Sequence, residues 1–394
     1  MRVKILCVVG ARPNFIKIAP LMNSFARLPF FESRLIHTGQ HYDARLSDIF
    51  FRQLEIRTPD VDLGVGPGTQ TEQTAEIMRR FEPVLEAEQP QAVLVVGDVN
   101  STIACSLATA KFLLREPFEW AKGQRFRPVV IHVEAGLRSF DDDMPEEMNR
   151  RLTDVLSDLL FVSEPSGLAN LIREGVPKER MHFVGNVMID TLLKAREEAL
   201  RSDILGRLNL RAREYGLLTL HRPSNVDNKE ALRALLGTLD SAATRLPFVF
   251  PVHPRTRARL ESARIVLPSE RWTLTEPLGY MEFLALQSSA RLVMTDSGGV
   301  QEETTALGVP CITLRESTER PCTVTEGTNR IAGTSRQGIL AAFDAAMRAD
   351  PSRDGSRVPA LWDGRAADRV TSTLQGLFEE SVGASTDGAR RLSA

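Results

Sequence analysis

Seven apolar runs in this chain end on polar residues that solubility alone does not call for: Arg12, Gln40–His41, Asp98, Glu134, His221–Arg222, His253 and Asp296–Ser297–Gly298–Gly299. Asp98 and Glu134 follow the runs Ala92–Val96 and Pro128–Val133. Two carboxylates on neighbouring strand tips can act as acid and base when their surroundings push their pKa values apart; anions bonded to loop N–H groups are the competing reading. In Leu292–Glu303 a strand, a turn and a helix start succeed one another. Gly298 and Gly299 let a phosphate approach the backbone, and the helix N-terminus favours an anion. Glu303, one turn on, could accept hydrogen bonds from ribose hydroxyls. The plainer alternative is that Ser297 caps the helix. His221 suits contact with a diphosphate or proton transfer. Arg12 opens a helix, where a cation opposes the dipole; a bound diphosphate would remove that conflict, and Lys17 could add a second charge. A structural alternative for Arg12 is an arginine lying over apolar surface. Glu146 and Arg150, at i,i+4, sit opposite a Met148/Leu152/Val155/Leu159 stripe. That spacing predicts a core-facing stripe and an outward ion pair.

The elements that must hold these residues alternate. Short runs at Val3–Val9, Leu35–Thr38, Ala92–Val96, Pro128–Val133, Leu159–Val162 and Met181–Val184 read as buried parallel strands. After a charged stretch the rhythm restarts at Leu217–Leu220, Phe248–Val252, Trp272–Thr275, Leu292–Met294 and Cys311–Leu314, with helical patterns between. This predicts an α/β chain of two Rossmann-like doubly wound domains facing across a cleft, residues 1–190 and 191–365. A helix at about 366–380 is expected to pack back on the first domain, and 381–394 to fray. In such sheets ligands sit at the carboxyl ends of the strands, where the polar residues above lie.

Composition removes other classes. In 394 residues, 49 Lys+Arg meet 51 Asp+Glu, so no basic excess drives nucleic-acid or membrane-surface binding. No apolar run approaches the roughly 18 residues of a membrane span. The four cysteines have no metal spacing and fit reduced, cytoplasmic thiols. There is no P-loop, no His/Cys metal cluster and no G-x-S-x-G elbow. No metal and no cofactor is expected.

The blocks GARPNFIKIAPL, TGQHYD, VVGDVNST, HVEAGLRSFDDDMPEEMNR, TLHRPSNVDN, DSGGVQEE and TERPCTVTEGTNR, in this order, resemble the non-hydrolysing UDP-N-acetylglucosamine 2-epimerases. The resemblance implies a fold like GT-B glycosyltransferases, a homodimer, and UDP held mainly by the second domain. It implies that Arg12 and Lys17 reach toward the diphosphate and that Asp98, Glu134, Glu146, Arg150 and His221 are catalytic or sugar-side residues. It places Ser297, Gly298, Gly299 and Glu303 at the phosphate turn and ribose, with Leu278 (through its backbone), Phe283 and Arg320 lining the nucleotide site. The implied reaction expels UDP from C1, which makes C2–H labile, and returns it with a proton on the other face of C2. The family often has Glu where Asn14 stands, and Glu-Asn or Glu-Ser where this chain has Ser224–Asn225. A Gln-His-x-Gln of relatives with a regulatory second sugar-nucleotide site is here Gln40–His41–Tyr42–Asp43. A UDP-2,3-diacetamido uronic acid substrate, or a GT-B-type glycosyltransferase, are the rival readings.

Overall fold

The computed structural model describes residues 2–40, 52–121, 123–349 and 358–392, without the side chains of Arg12 and 382–392. His41, Tyr42 and Asp43 therefore lie outside the described residues. The chain divides into two compact units, Met1–Thr191 with Ala360–Ala394, and Leu192–Pro359.

The first unit is built on β1 (Val3–Val9), β2 (Phe31–His37), β3 (Val61–Asp62), β4 (Ala92–Val96), β7 (Val129–Ala135), β8 (Leu159–Val162) and β9 (Met181–Phe183). Among the described residues they form one sheet in the order β3-β2-β1-β4-β7-β8-β9, every pair parallel. β4 and β8 are wholly buried, which is why they read as unbroken apolar runs, and β7 is wholly buried as well although it carries His132 and Glu134. Two short antiparallel strands, β5 (Phe118–Trp120) and β6 (Gly123–Arg125), lie apart from the sheet.

The second unit carries β10 (Gly216–Thr219), β11 (Phe248–Pro251), β12 (Trp272–Thr275), β13 (Leu292–Thr295), β14 (Cys311–Thr313) and β15 (Asn329–Ile331). They form a parallel sheet in the order β12-β11-β10-β13-β14-β15. Its core joins Leu218, Phe248, Phe250, Trp272, Leu292 and Met294 to Leu232, Leu235, Leu236 and Leu239 of the helix Lys229–Ala243. Both sheets reverse their strand order, between β1 and β4 in one and between β10 and β13 in the other. At such a reversal neighbouring connections lead away in opposite directions and leave a crevice at the strand ends. Neither sheet closes into a barrel.

The local signals the periodicity scan passes over are capping signals. The helix Gln70–Glu88 is bounded by a capping box, in which Thr69 Oγ1 accepts from Glu72 N–H and Glu72 accepts from Thr69 N–H. The first helix, Arg12–Ala26, continues through Pro20.

One expectation is corrected. The helix Pro145–Leu156 turns its polar face inward: Glu147, Arg150, Thr153 and Asp154 are buried, while Met148, Leu152 and Val155 are 49%, 46% and 72% exposed. Leu159 is not on this helix; it begins β8 and is buried. The polar face is inside because Arg150 and Asp154 find charged or ring partners on residues 98, 132 and 138, which local periodicity does not see. The last helix runs Ala366–Leu392. Phe378 from this helix packs on Phe31, Phe118 and Trp120, and Asp190 accepts from Ala366 and Ala367 N–H.

Candidate active site

In the first unit the polar residues gather where β1, β4 and β7 end. Asn14 caps the first helix by accepting from Ala11 N–H (3.2 Å) and donates to the Val96 carbonyl at the tip of β4 (2.7 Å). One turn on, Lys17 Nζ meets Glu134 Oε1 at 2.6 Å, with both residues buried. Glu134 has φ of +76°, in the left-handed region, at the point where the β7–β8 register shifts. A non-glycine residue costs of order 1–3 kcal/mol in such a conformation, so its neighbours hold Glu134 against local preference. Between Lys17 and Asp98 lies Gly97, with φ of +66°. A Cβ there would stand 2.9 Å from Lys17 Nζ and 3.5 Å from Asn14 Nδ2, which leaves room for glycine alone.

Asp98 is held from the helix Pro145–Leu156: Arg150 Nη2 pairs with its carboxylate, and Asn149 Nδ2 donates to its carbonyl (3.0 Å). Arg150, only 2% exposed, also meets Glu147 Oε2 at 2.6 Å. The outward pair expected of Glu146 and Arg150 is thus not formed. Arg150 turns inward, and its carboxylates are at i−3 and on a strand tip 52 residues away.

In the second unit the reversal between β10 and β13 brings His221 to Asp296. Asp296 is fully buried and accepts from His221 N–H, Arg222 N–H (2.9 Å) and Asn225 Nδ2 (3.2 Å). His221 Nδ1 lies 2.9 Å from its other oxygen. Burial alone would raise the Asp296 carboxyl, but the hydrogen bond and charge of His221 outweigh it and keep it below the usual range. The ionised carboxylate holds the proton on Nδ1, leaving Nε2 as the nitrogen able to exchange a proton.

Ser297 stands at the N-cap of the helix Gly298–Leu307, and its side chain makes no capping hydrogen bond. A Cβ on Gly298 would fall 2.7 Å from Glu319 Oε1 and 2.9 Å from Arg320 Nη1. The turn is therefore pressed against a cluster in which Arg222, Arg315 and Arg320 all meet Glu319, at 3.3, 2.8 and 3.0 Å. Arg320 also pairs with Glu302 (2.9 Å). Leu278 and Phe283 are half-buried against the core around Tyr215, Leu217 and Leu286.

Burial, and then the neighbouring Glu302 carboxylate, push Glu303 up to about 8, with hydrogen bonds to Tyr280 and Gln287 offsetting part of this. At neutral pH Glu303 is thus a protonated carboxyl that can donate a hydrogen bond as well as accept one. Between the ordinary carboxylate value and about 8, native Glu303 holds a proton that the unfolded chain has lost. Its contribution to stability therefore falls as pH rises through that window. Denaturant midpoints across this range are expected to decline for the native chain and to flatten in Glu303→Gln; an identical decline in the variant would assign the slope elsewhere.

The structure thus brings Lys17, Asp98, Glu134 and Arg150 together in one unit, and His221, Ser297, Gly298, Gly299 and Arg320 around a second set of strand tips in the other. Arg12 opens the helix after β1, and its side chain lies outside the described residues. Asp296 stands out along the chain only as part of a strand-end turn, and Glu319 only as part of a matching block: nothing local marks an acid as the hub of several arginines or the partner of a histidine. No group of three or more His, Cys, Asp or Glu able to hold a metal occurs among the described residues. Within the same residues no helix is long and apolar enough to cross a membrane.

The family model for UDP-N-acetylglucosamine 2-epimerase matches residues 23–375. A UDP-N-acetylglucosamine 2-epimerase homolog of Methanococcus maripaludis is 42% identical over 342 residues, 86% of this chain and 90% of its own. A UDP-2,3-diacetamido-2,3-dideoxy-D-glucuronate 2-epimerase of Pseudomonas aeruginosa is 36% identical over 375 residues, 94% of this chain and 99% of its own. The crystal structure of the Methanocaldococcus jannaschii UDP-GlcNAc 2-epimerase in complex with UDP-GlcNAc and UDP matches with a TM-score of 0.84 at 35% identity, over 95% of this chain and 99% of that one. The two parallel sheets thus have the GT-B-like fold of these enzymes. Because the match runs through both units and takes in nearly the whole of each relative, the chain belongs to the UDP-N-acetylglucosamine 2-epimerase family.

Proposed function

We propose that the chain interconverts UDP-N-acetylglucosamine and UDP-N-acetylmannosamine at C2. The second unit holds UDP, and Asp98 and Glu134 of the first handle the proton. C2–H of the sugar is not next to a carbonyl, so direct removal would leave an unstabilised carbanion. Instead a carboxylate takes the C2 proton while the C1–O bond breaks and its electron pair leaves on the UDP β-phosphate oxygen. The product is a 1,2-unsaturated sugar and UDP. UDP oxygen then re-forms the bond to C1 as a proton is delivered to the opposite face of C2. The Ser297–Gly299 turn, Arg320 and His221 offset the charge gathering on UDP. Arg12 extends that role, and Leu278, Phe283 and Glu303 fix the nucleoside. The observation that carries this reading is the pair of carboxylates at adjacent strand tips, each held by its own buried cation: Glu134 by Lys17 and Asp98 by Arg150.

The test is proton NMR of the chain turning over UDP-N-acetylglucosamine in D2O. The C2 proton is expected to be replaced by deuterium as the manno epimer appears. Product that keeps its C2 proton would exclude the mechanism, and sugar transfer to an added acceptor without exchange would indicate a glycosyltransferase.

A second reading keeps the chemistry and changes the sugar to a UDP-2,3-diacetamido uronic acid. It is favoured by the identity to the Pseudomonas aeruginosa relative over nearly the whole of both chains. Deuterium exchange on that sugar and not on UDP-N-acetylglucosamine would select it.

The exposed stripe Met148, Leu152 and Val155 is the face we assign to a homodimer, since a second copy would bury the same apolar row from both sides. Light scattering is expected to give a dimer for the native chain and a monomer for Val155→Glu; a monomeric native chain ends the assignment.

A further inference from the structure

His132 is used by none of the steps above, yet it is fully buried in the middle of β7 and both its ring nitrogens are engaged. Nδ1 lies 2.7 Å from Asp154 Oδ1, and Nε2 lies 2.9 Å from the Gly97 carbonyl oxygen. A carbonyl oxygen only accepts, so Nε2 must carry a proton. The other oxygen of Asp154 faces two groups that only donate, Gly136 N–H at 3.0 Å and Arg138 Nη1 at 2.7 Å. Burial alone would raise the Asp154 carboxyl, but His132 and then Arg138 outweigh it and hold it below the ordinary range. With the Arg138 guanidinium and Gly136 N–H on its other oxygen, Asp154 is held as a carboxylate, which accepts only, so Nδ1 must carry a proton as well.

From these contacts we infer that His132 is a buried imidazolium, and that it positions the Gly97–Asp98 turn for proton transfer by clamping the Gly97 carbonyl to the helix Pro145–Leu156. The functional half of this inference rests on the epimerase reading above. The charges around the ring balance: His132 and Arg138 against Asp154 and Glu174, the last bonded to Arg138 Nε at 2.8 Å. The remaining charged groups nearby are already paired, Lys17 with Glu134, and Arg150 with Asp98 and Glu147.

The clamp acts on a turn that has little freedom. Gly97 N–H donates to the Val133 carbonyl at 3.1 Å, and the glycine has a left-handed φ. Its Cα faces Lys17 Nζ and Glu134 Oε1. The same helix therefore holds the turn twice: Arg150 grips the Asp98 carboxylate, and Asp154, one turn on, grips the Gly97 carbonyl through His132. Neutral imidazole has one N–H and would leave one of these two acceptors facing a lone pair. A small misplacement of a catalytic carboxylate is costly in rate, up to about a hundredfold for 1 Å.

The charge state is read first, on the native chain without substrate. Nitrogen-15 NMR of the imidazoles at neutral pH is expected to show a histidine with two slowly exchanging N–H protons, assigned by its disappearance in His132→Gln. A single N–H on His132 overturns the imidazolium. The positioning role is read by kinetics: His132→Gln and Asp154→Asn are each expected to lower kcat about tenfold or more while UDP binds with unchanged affinity. A folded His132→Gln with native kcat overturns the clamp, as does an equal loss of UDP affinity. Should the variants not fold, sequential resonance assignment of the native chain attributes the signal to His132 and still decides the charge. Should the native chain exchange no C2 proton on either candidate sugar, the epimerase reading fails while the two-proton signal of His132 is unaffected.

Discussion

Asp98→Asn and Glu134→Gln are each expected to lower kcat by at least about a hundredfold, the scale of general acid–base catalysis, with UDP affinity unchanged. Either substitution keeps the size of the side chain and removes its capacity to exchange a proton. The two differ in what else they disturb. Glu134 is buried with Lys17 Nζ 2.6 Å from its oxygen, so the amide leaves an ammonium inside the protein without a counter-charge. Its backbone is also held in the left-handed region, and weaker anchoring would let that strain relax. Asp98 is one-fifth exposed at the side chain, and its variant costs less stability while losing the same chemistry. UDP binding is the internal control, because the turn and arginines proposed to hold UDP, Arg12 apart, belong to the other unit. A fall in kcat at constant UDP affinity assigns the lost interaction to the reaction itself. A near-normal rate in either variant removes that residue from the mechanism.

Arg150→Met is expected to destabilise the first unit by about 3 kcal/mol, the low end for breaking a buried ion pair from one side. Arg150 bridges Asp98 and Glu147, and Glu147 is 1% exposed. Without the guanidinium the Glu147 carboxylate keeps Ser139 N–H (2.8 Å), Ser139 Oγ (2.9 Å) and Phe140 N–H (3.2 Å), which places the loss at the low end. Adding Glu147→Gln to Arg150→Met is expected to recover part of it, because the stranded charge is then gone. Denaturant midpoints of the native chain, the single variant and the double variant measure this. A loss below about 1 kcal/mol in the single variant would show that the bridge contributes no more than a surface pair.

Much of the architecture is legible along the chain because parallel strands buried on both faces must be continuously apolar. Ala92–Val96 and Leu292–Met294 announce themselves this way, as does Val3–Val9 beyond Lys4, and each hands over to an unusual polar residue. The blocks around Glu134, Arg150 and Ser297 likewise carry the family resemblance without any coordinates. Short edge strands such as β3 and β15, with two and three residues, have too few positions for a pattern.

The order of residues along the chain is therefore enough for local facts: where strands end, which residue types stand there, and which family shares them. The tertiary structure alone decided which of those residues meet. The order β1-β4-β7 sets Lys17 against Glu134 across 117 residues, and it offers Arg150 and Asp154 charged and ring partners that invert the expected faces of their helix. In the other unit, burial and then the adjacent Glu302 carboxylate raise Glu303 to about 8. Periodicity records how apolar a face is, whereas the burial of a charge depends on a partner brought to it by strand order, and that partner can lie anywhere in the chain.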